Sequence, residues 1–246
     1  MELNGCAAIV TCGSGGLGQR ICRALALKGV NVAVNYAESE ANAKSVAEDI
    51  LKLGARAIAV QADITDPVAV ARMVEQTRIE FGRVDILVND AAFNKLVRFP
   101  DLDGLTHELW NKIITTNLYG AFNCIKAVAP LMKAQGQGRI VNISSGASMS
   151  PRGSSIAYAV SKAGVNHLTK CMAVALAPEV TVNCVAPGHM LGTRMTANQG
   201  EHVAKSGETR VLRRPVNKDD VAEQVVLFCH SDSVTGQTIV MDCGHF

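Results

Sequence analysis

Short apolar runs rich in β-branched residues alternate with longer amphipathic stretches along the whole chain, and the alternation starts near the first residue. Residues 6–11 (CAAIVT) read as a strand, followed by CGSGGLG and an amphipathic run over 17–28. The same order then repeats. Residues 31–35 (NVAVN) predict a second strand, and 39–53 a helix opening at a Ser cap and stopping at Gly54. Residues 57–61 (AIAVQ) form a third strand, 68–81 a helix ended by Gly82, and 84–88 (VDILV) a fourth strand. A long helical pattern runs from about 105 to 135. The remaining elements are a strand at 140–143, a helix from about 158 through 176, a strand at 180–185, a helix at 219–229 and a last strand at 238–241 (TIVM). Strands that are apolar throughout, rather than alternating, are buried on both faces. The pattern therefore predicts an α/β fold, a single-domain, doubly wound parallel sheet of about seven strands with helices on both faces.

Composition narrows the picture. With 246 residues and 48% hydrophobic content the chain buries one sizeable core, so residues 1–246 are expected to be one domain. The net charge is +2 and no run of Lys and Arg stands out, which argues against nucleic acid or a membrane surface as partner. No apolar run approaches a bilayer span, and the first residues show no basic segment leading into a long apolar core; a cytosolic protein is expected. The eight cysteines are scattered with no C-x-x-C pair and read as reduced core thiols. Cys229 beside His230, or Cys243 near His245, lacks the paired spacing of zinc sites, so no metal is expected.

Candidate chemistry lies at the strand ends. The glycines of CGSGGLG (Gly13, Gly15, Gly16, Gly18) sit between the first strand and the first helix, where close backbone approach, first-turn amides and the helix dipole form a socket for a diphosphate. The second strand ends in Asn35 and Tyr36, with no acid to select a free ribose 2′-hydroxyl; this favours NADP(H) over NAD(H), with Glu38 just beyond keeping the other choice open. Asp63 and Ile64 follow the third strand, where an acceptor and an apolar side chain suit an adenine ring. Tyr158 and Lys162 share one helix face at i and i+4, so an ammonium can lie beside a phenol and ease loss of its proton, as a general acid or base needs. Ser145, after the strand at 140–143, can donate to the same substrate oxygen. A surface Tyr and a solvated Lys would show the same spacing. Asn117, inside the long helical pattern, reads on its own as a solvated residue. Residues 189–215 are polar and weakly periodic, the pattern of a lid over a substrate rather than a connector.

Taken together these residues resemble the short-chain dehydrogenase/reductase family over nearly the full length of the chain, including members similar to 3-oxoacyl-[acyl-carrier-protein] reductases. The resemblance rests on TCGSGGLG at 11–18, DILVNDAA at 85–92, Asn117 in NLYG, Ser145, Tyr158-x-x-x-Lys162, VAPG at 185–188 and SVTGQ at 233–237. It implies a nicotinamide-dependent oxidoreductase that interconverts a ketone or aldehyde and an alcohol. Tyr158 would exchange the proton, Lys162 would lower its pKa and hold the nicotinamide ribose, Ser145 would orient the carbonyl, and Asn117 would hold a water linking Lys162 to solvent. The cofactor set it implies is Cys12, Ser14, Gly15, Gly16, Leu17 and Gly18 in the loop, Asn35 and Tyr36, Asp63 and Ile64 at adenine, and Asn89 and Ala91 along the ribose. Tyr158, Lys162, Pro187, Gly188, Met190 and Thr193 complete it at the nicotinamide end. A homotetramer joined through the two long helices is also implied. Four positions depart from the family pattern: Cys12 stands for the first loop glycine, Asp90 and Ala92 for Asn and Gly, and Cys243 for a glycine after Asp242. Thr193 lies one residue farther from Pro187 than usual. These departures motivate the alternative expectation, a non-catalytic or regulatory protein that keeps the dinucleotide fold.

Overall fold

The computed structural model describes residues 1–196 and 200–245. Seven strands form one sheet: β1 (Ala7–Val10), β2 (Asn31–Tyr36), β3 (Ala57–Gln61), β4 (Ile86–Asn89), β5 (Gly138–Ile143), β6 (Val180–Pro187) and β7 (Thr238–Met241). Every pairing is parallel and the order is β3-β2-β1-β4-β5-β6-β7. The chain leaves β1 toward β3, then returns to add β4 on the other side of β1. That reversal opens a crevice at the carboxyl ends of β1 and β4, the place where open α/β sheets bind ligands.

Helices cover both faces. On one side α1 (Gly18–Ala26), α2 (Glu40–Lys52) and α8 (Lys218–His230) pack over β1, β2 and β6, where Ile21, Leu25, Val34, Ile50, Val185 and Val225 are buried. On the other, α3 (Pro67–Phe81), α5 (Gly120–Ala134) and α6 (Ile156–Leu176) bury Met73, Leu87, Ile125, Met132, Ile140 and Val182. The central strands β1, β4 and β5 are buried at every position, which is why they read as largely apolar runs, and their polar residues Asn89, Arg139 and Asn142 are buried with them. Helix ends follow local chemistry: Asp66 caps α3 by accepting from the Val68 amide with Pro67 at the first position, and Gly82 ends it in the left-handed conformation.

Two elements differ from the sequence pattern. The long stretch after residue 105 begins as α4 (His107–Ile114), passes through a π-helical turn (Thr115–Tyr119) and continues as α5. The segment after β6, expected to be irregular, contains a 3₁₀ turn (Arg194–Thr196) and α7 (Gly200–Glu208). The C-terminal tail returns onto it, with the Val211 and Leu212 amides donating to the carbonyls of Gly244 and Cys243. Among the described residues no helix is long and apolar enough to cross a membrane.

Candidate active site

The crevice is stitched together by side chains that bridge strand ends. Thr11 Oγ1 accepts from the Asp90 and Ala91 amides at 3.0 Å each and donates to Val88 O, so the exits of β1 and β4 move as one. Asn35 does the same between β1, β2 and β3. Its Oδ1 accepts from the Cys12 amide (3.2 Å), and its Nδ2 donates to the carbonyls of Tyr36, Val60 and Ala62. The Asn35 carboxamide is buried beneath the glycine loop, because diverging strand ends leave backbone donors and acceptors that one carboxamide satisfies at once. Tyr36, the last residue of β2, is buried against the same core as the loop.

The loop itself fits a diphosphate. Cys12 holds φ +53, the left-handed region that a glycine occupies without cost, which identifies the physical demand its family counterpart meets. Gly16 is walled by the segment after β6: a Cβ there would run into Gly192 O and fall 2.9 Å from the Thr193 Cα. At Gly18 a Cβ would collide with Cys12 O and lie 2.9 Å from the Gly13 Cα, so the loop closes on the first turn of α1 only without side chains. Leu17 is buried as the residue before α1 and offers no side-chain cap, and no acid stands in the first turn. The amide of Gly18 is met by the carboxylate of Asp90. Ser14 is half-buried on the rim.

Further along the crevice, Asp63 is exposed and uses one oxygen to accept from Thr65 N and Oγ1, both at 2.8 Å. Ile64 is buried against Gly120, whose missing Cβ makes room for it. Asn89 donates to Asn142 Oδ1 at 2.8 Å, while its own Oδ1 is a buried acceptor with no partner among the described residues. Pro187 ends β6, Gly188 N donates to Met241 O, and Met190 pairs with Val216 in an isolated bridge. The Thr193 hydroxyl is engaged with Thr196 Oγ1 at 2.9 Å.

The chemistry-bearing side chains converge where β5 meets α6. Ser155 caps α6 by accepting from the Tyr158 amide at 3.1 Å, which fixes the first turn and carries Tyr158 and Lys162 on its buried face. Lys162 Nζ donates to Ile143 O at 2.8 Å and lies 5.9 Å from the Tyr158 ring centre. Ser145, in extended conformation just past β5, accepts from the Ala147 amide at 3.2 Å and lies beside Tyr158, whose hydroxyl approaches Met195 Sδ at 3.8 Å. Burial raises the phenol above its ordinary pKa; Ser145 works against it and the charge of Asp90 adds to it. Burial is the largest of these influences, and the Lys162 ammonium beside the ring is itself held by a backbone carbonyl. Burial likewise brings Lys162 down to about 8, opposed by Asp90.

Asn117 is not solvated. It sits 2% exposed in the π-helical turn, where Oδ1 accepts from Phe93 N (2.7 Å) and Nδ2 donates to Phe93 O and Ser161 Oγ (3.0 Å each). Its side chain ties the loop after β4 to α6, one residue from Lys162. Among the described residues no cluster of His, Cys, Asp and Glu is arranged to hold a metal, and all eight cysteines are free thiols. The group that sequence reasoning undervalued is Asp90: visible in the sequence only as a departure, it stands at the middle of the crevice, between Gly18 and Lys162.

The family model described as short chain dehydrogenase matches residues 6–204. A 3-oxoacyl-[acyl-carrier-protein] reductase from Synechocystis is 42% identical over 245 residues, covering 96% of this chain and 95% of that protein. A protein of the same name from Staphylococcus epidermidis is 38% identical over 97% of this chain and 98% of its own length. Among solved structures, a short chain dehydrogenase from Burkholderia cenocepacia in complex with NADP superposes with a TM-score of 0.91 at 34% identity, covering 99% of each chain. The chain belongs to the short-chain dehydrogenase/reductase family and is an NAD(P)-dependent oxidoreductase of carbonyl compounds and alcohols.

Proposed function

We propose that Tyr158 exchanges the proton at the substrate oxygen, with Ser145 orienting that oxygen and Lys162 placing the nicotinamide ribose. The observation that carries this reading is the convergence of three side chains where β5 meets α6: the Ser155 cap fixes the first turn, Tyr158 and Lys162 stand on its buried face with Nζ 5.9 Å from the phenol ring, and Ser145 leaves β5 beside them. The nicotinamide, when bound, supplies or accepts the hydride. The chain's own share is placement and proton supply. Ser145 and Tyr158 offer two hydroxyls to one substrate oxygen. Lys162 has three donors and uses one on Ile143 O, leaving two for ribose hydroxyls. A charged Lys162 so placed stabilises the phenolate and opposes the effect of burial on Tyr158.

Tyr158→Phe is expected to lower turnover by about a hundredfold or more, the scale of a lost general acid. Lys162→Ala should reduce both turnover and dinucleotide affinity. Ordinary turnover in Tyr158→Phe would remove this assignment.

NADP(H) is the proposed cofactor. No acid ends β2, and the Burkholderia cenocepacia relative is solved with NADP. Lys44, near the start of α2, is the cation available for a 2′-phosphate once it leaves Glu40, its partner at 2.7 Å. The substrate class to test first is a 3-oxoacyl thioester, after the names of the two reductases above, with residues 189–215 as its lid. Oxidation of NADPH across a panel of ketones, thioesters included, is the measurement. Cys12 and Asp90 favour a second reading, binding without turnover; dinucleotide binding with no oxidation across the panel would establish it. A cytosolic homotetramer completes the proposal.

A further inference from the structure

Within the crevice Asp90 directly follows β4 and is tied to Thr11, the residue before the glycine loop, which sets its carboxylate near the first amide of α1, at Gly18. Its own backbone amide is pinned to Thr11 Oγ1 at 3.0 Å, and the neighbouring Ala91 amide to the same oxygen, so the residue is held in place from both β1 and β4. The position matters because the first turn of a helix after a glycine loop is where a diphosphate gains most from backbone donors and dipole. An acid of the chain and the cofactor's diphosphate therefore seek the same donors. Side by side in a half-buried crevice, two such anions repel.

The geometry points to Asp90 as the group that ties dinucleotide affinity to a proton: the cofactor binds when the Asp90 carboxyl is neutral, and binding to the ionised form takes up one proton from solution. The inference rests on the dinucleotide reading of the glycine loop. The balance is simple, since the carboxylate gains the proton and no other bond changes.

The groups facing Asp90 decide where its titration falls. Lys162 and Tyr158 approach from α6, Cys22 from α1, with Cys12 of the loop facing Cys22. Burial raises Asp90 to about 7, against the pull of the Lys162 ammonium and the Gly18 amide. A carboxyl poised there changes charge across the physiological range.

The test compares the protein with Asp90→Asn, an uncharged side chain of the same shape, by fluorescence titration with NADPH and with NADH from pH 6 to 8.5. Lys162, the other titrating groups and the cofactor phosphates are common to both proteins and cancel in the comparison. Above neutrality the log of the wild-type dissociation constant should climb by up to one unit per pH unit relative to the variant, and at pH 8.5 Asp90→Asn should bind about tenfold tighter or better. Parallel pH profiles for the two proteins would overturn the proton linkage while leaving dinucleotide binding intact. Failure of both proteins to bind either dinucleotide at any pH would overturn the loop reading, and this inference with it. A second readout needs no cofactor. Because the folded carboxyl holds its proton more tightly than the unfolded one, stability of the cofactor-free wild type should fall as pH rises from about 4 toward 7. The urea midpoint of Asp90→Asn should lack that decline, and an equal decline in both would count against the proposal.

Discussion

Cys12 shows how one residue records the demands of its position. At φ +53 it occupies a conformation that costs a side-chain-bearing residue about 1 kcal/mol or more, and its Sγ faces Gly15, where a Cβ would fall 3.0 Å away. The amide of Cys12 is nevertheless bonded to Asn35, so the loop tolerates the strain and keeps its bridge to β2. Cys12→Gly should raise stability by a fraction of a kcal/mol, the relief of strain being partly offset by the freer unfolded chain. It should also tighten dinucleotide binding if the thiol crowds the diphosphate. Urea denaturation and NADPH titration read the two effects separately; an unchanged dissociation constant would refute the crowding. The sequence exposed this residue because a side chain stands where the family pattern has a glycine, and the left-handed φ supplies the reason. Cys243, at φ +61 after Asp242, repeats the case. Asn35 shows the opposite limit. Its place at the end of β2 was legible, but not that its carboxamide turns under the loop, because that depends on carbonyls in and just after β3, 25 and 27 residues away in sequence.

At the scale of elements, the π-helical turn explains what periodicity missed. A regular helix from residue 105 onward gives no signal that an asparagine in its middle is buried. The wider turn at Thr115–Tyr119 inserts one residue into the helical repeat and re-aims the turns beyond it, so a polar position faces inward. Asn117 then satisfies both backbone groups of Phe93 and the hydroxyl of Ser161. Asn117→Ala strands the two backbone groups of Phe93, while Ser161 keeps its bond to Tyr158 O, and should cost about 2 kcal/mol or more of stability, the scale of buried polar groups left unpaired. Because Ser161 precedes Lys162 on α6, turnover should fall beyond what instability explains, measured as kcat well below the unfolding transition. A variant with wild-type kcat and a wild-type urea midpoint would show that the bridge does neither job. The same reasoning separates the legible elements from the rest. Strands buried on both faces announce themselves, whereas α7, nine residues with two glycines and Val203 as its one large apolar side chain, carries too little apolar content to stand out.

For the whole molecule, the outer surface of α6 sets the last prediction. Tyr158 and Lys162 face inward from α6, while Val160, two residues on, is 47% exposed. Tyr119, in the π-helical turn packed against α6, is 48% exposed. Large apolar side chains on a helix that also carries the proposed reacting groups are a reason to expect a covering surface, and a second copy offers a self-complementary one. Docking there would buttress α6 from behind and hold the phenol and ammonium against β5. Light scattering should return four times the mass of the chain. Val160→Glu, which places a charge where the copies meet, should yield smaller species. Loss of turnover should track dissociation, so that raising the protein concentration restores both. A wild-type protein that remains a monomer at micromolar concentration with full turnover would show that α6 is rigid enough alone, held by its Ser155 cap and the bond from Lys162 to Ile143.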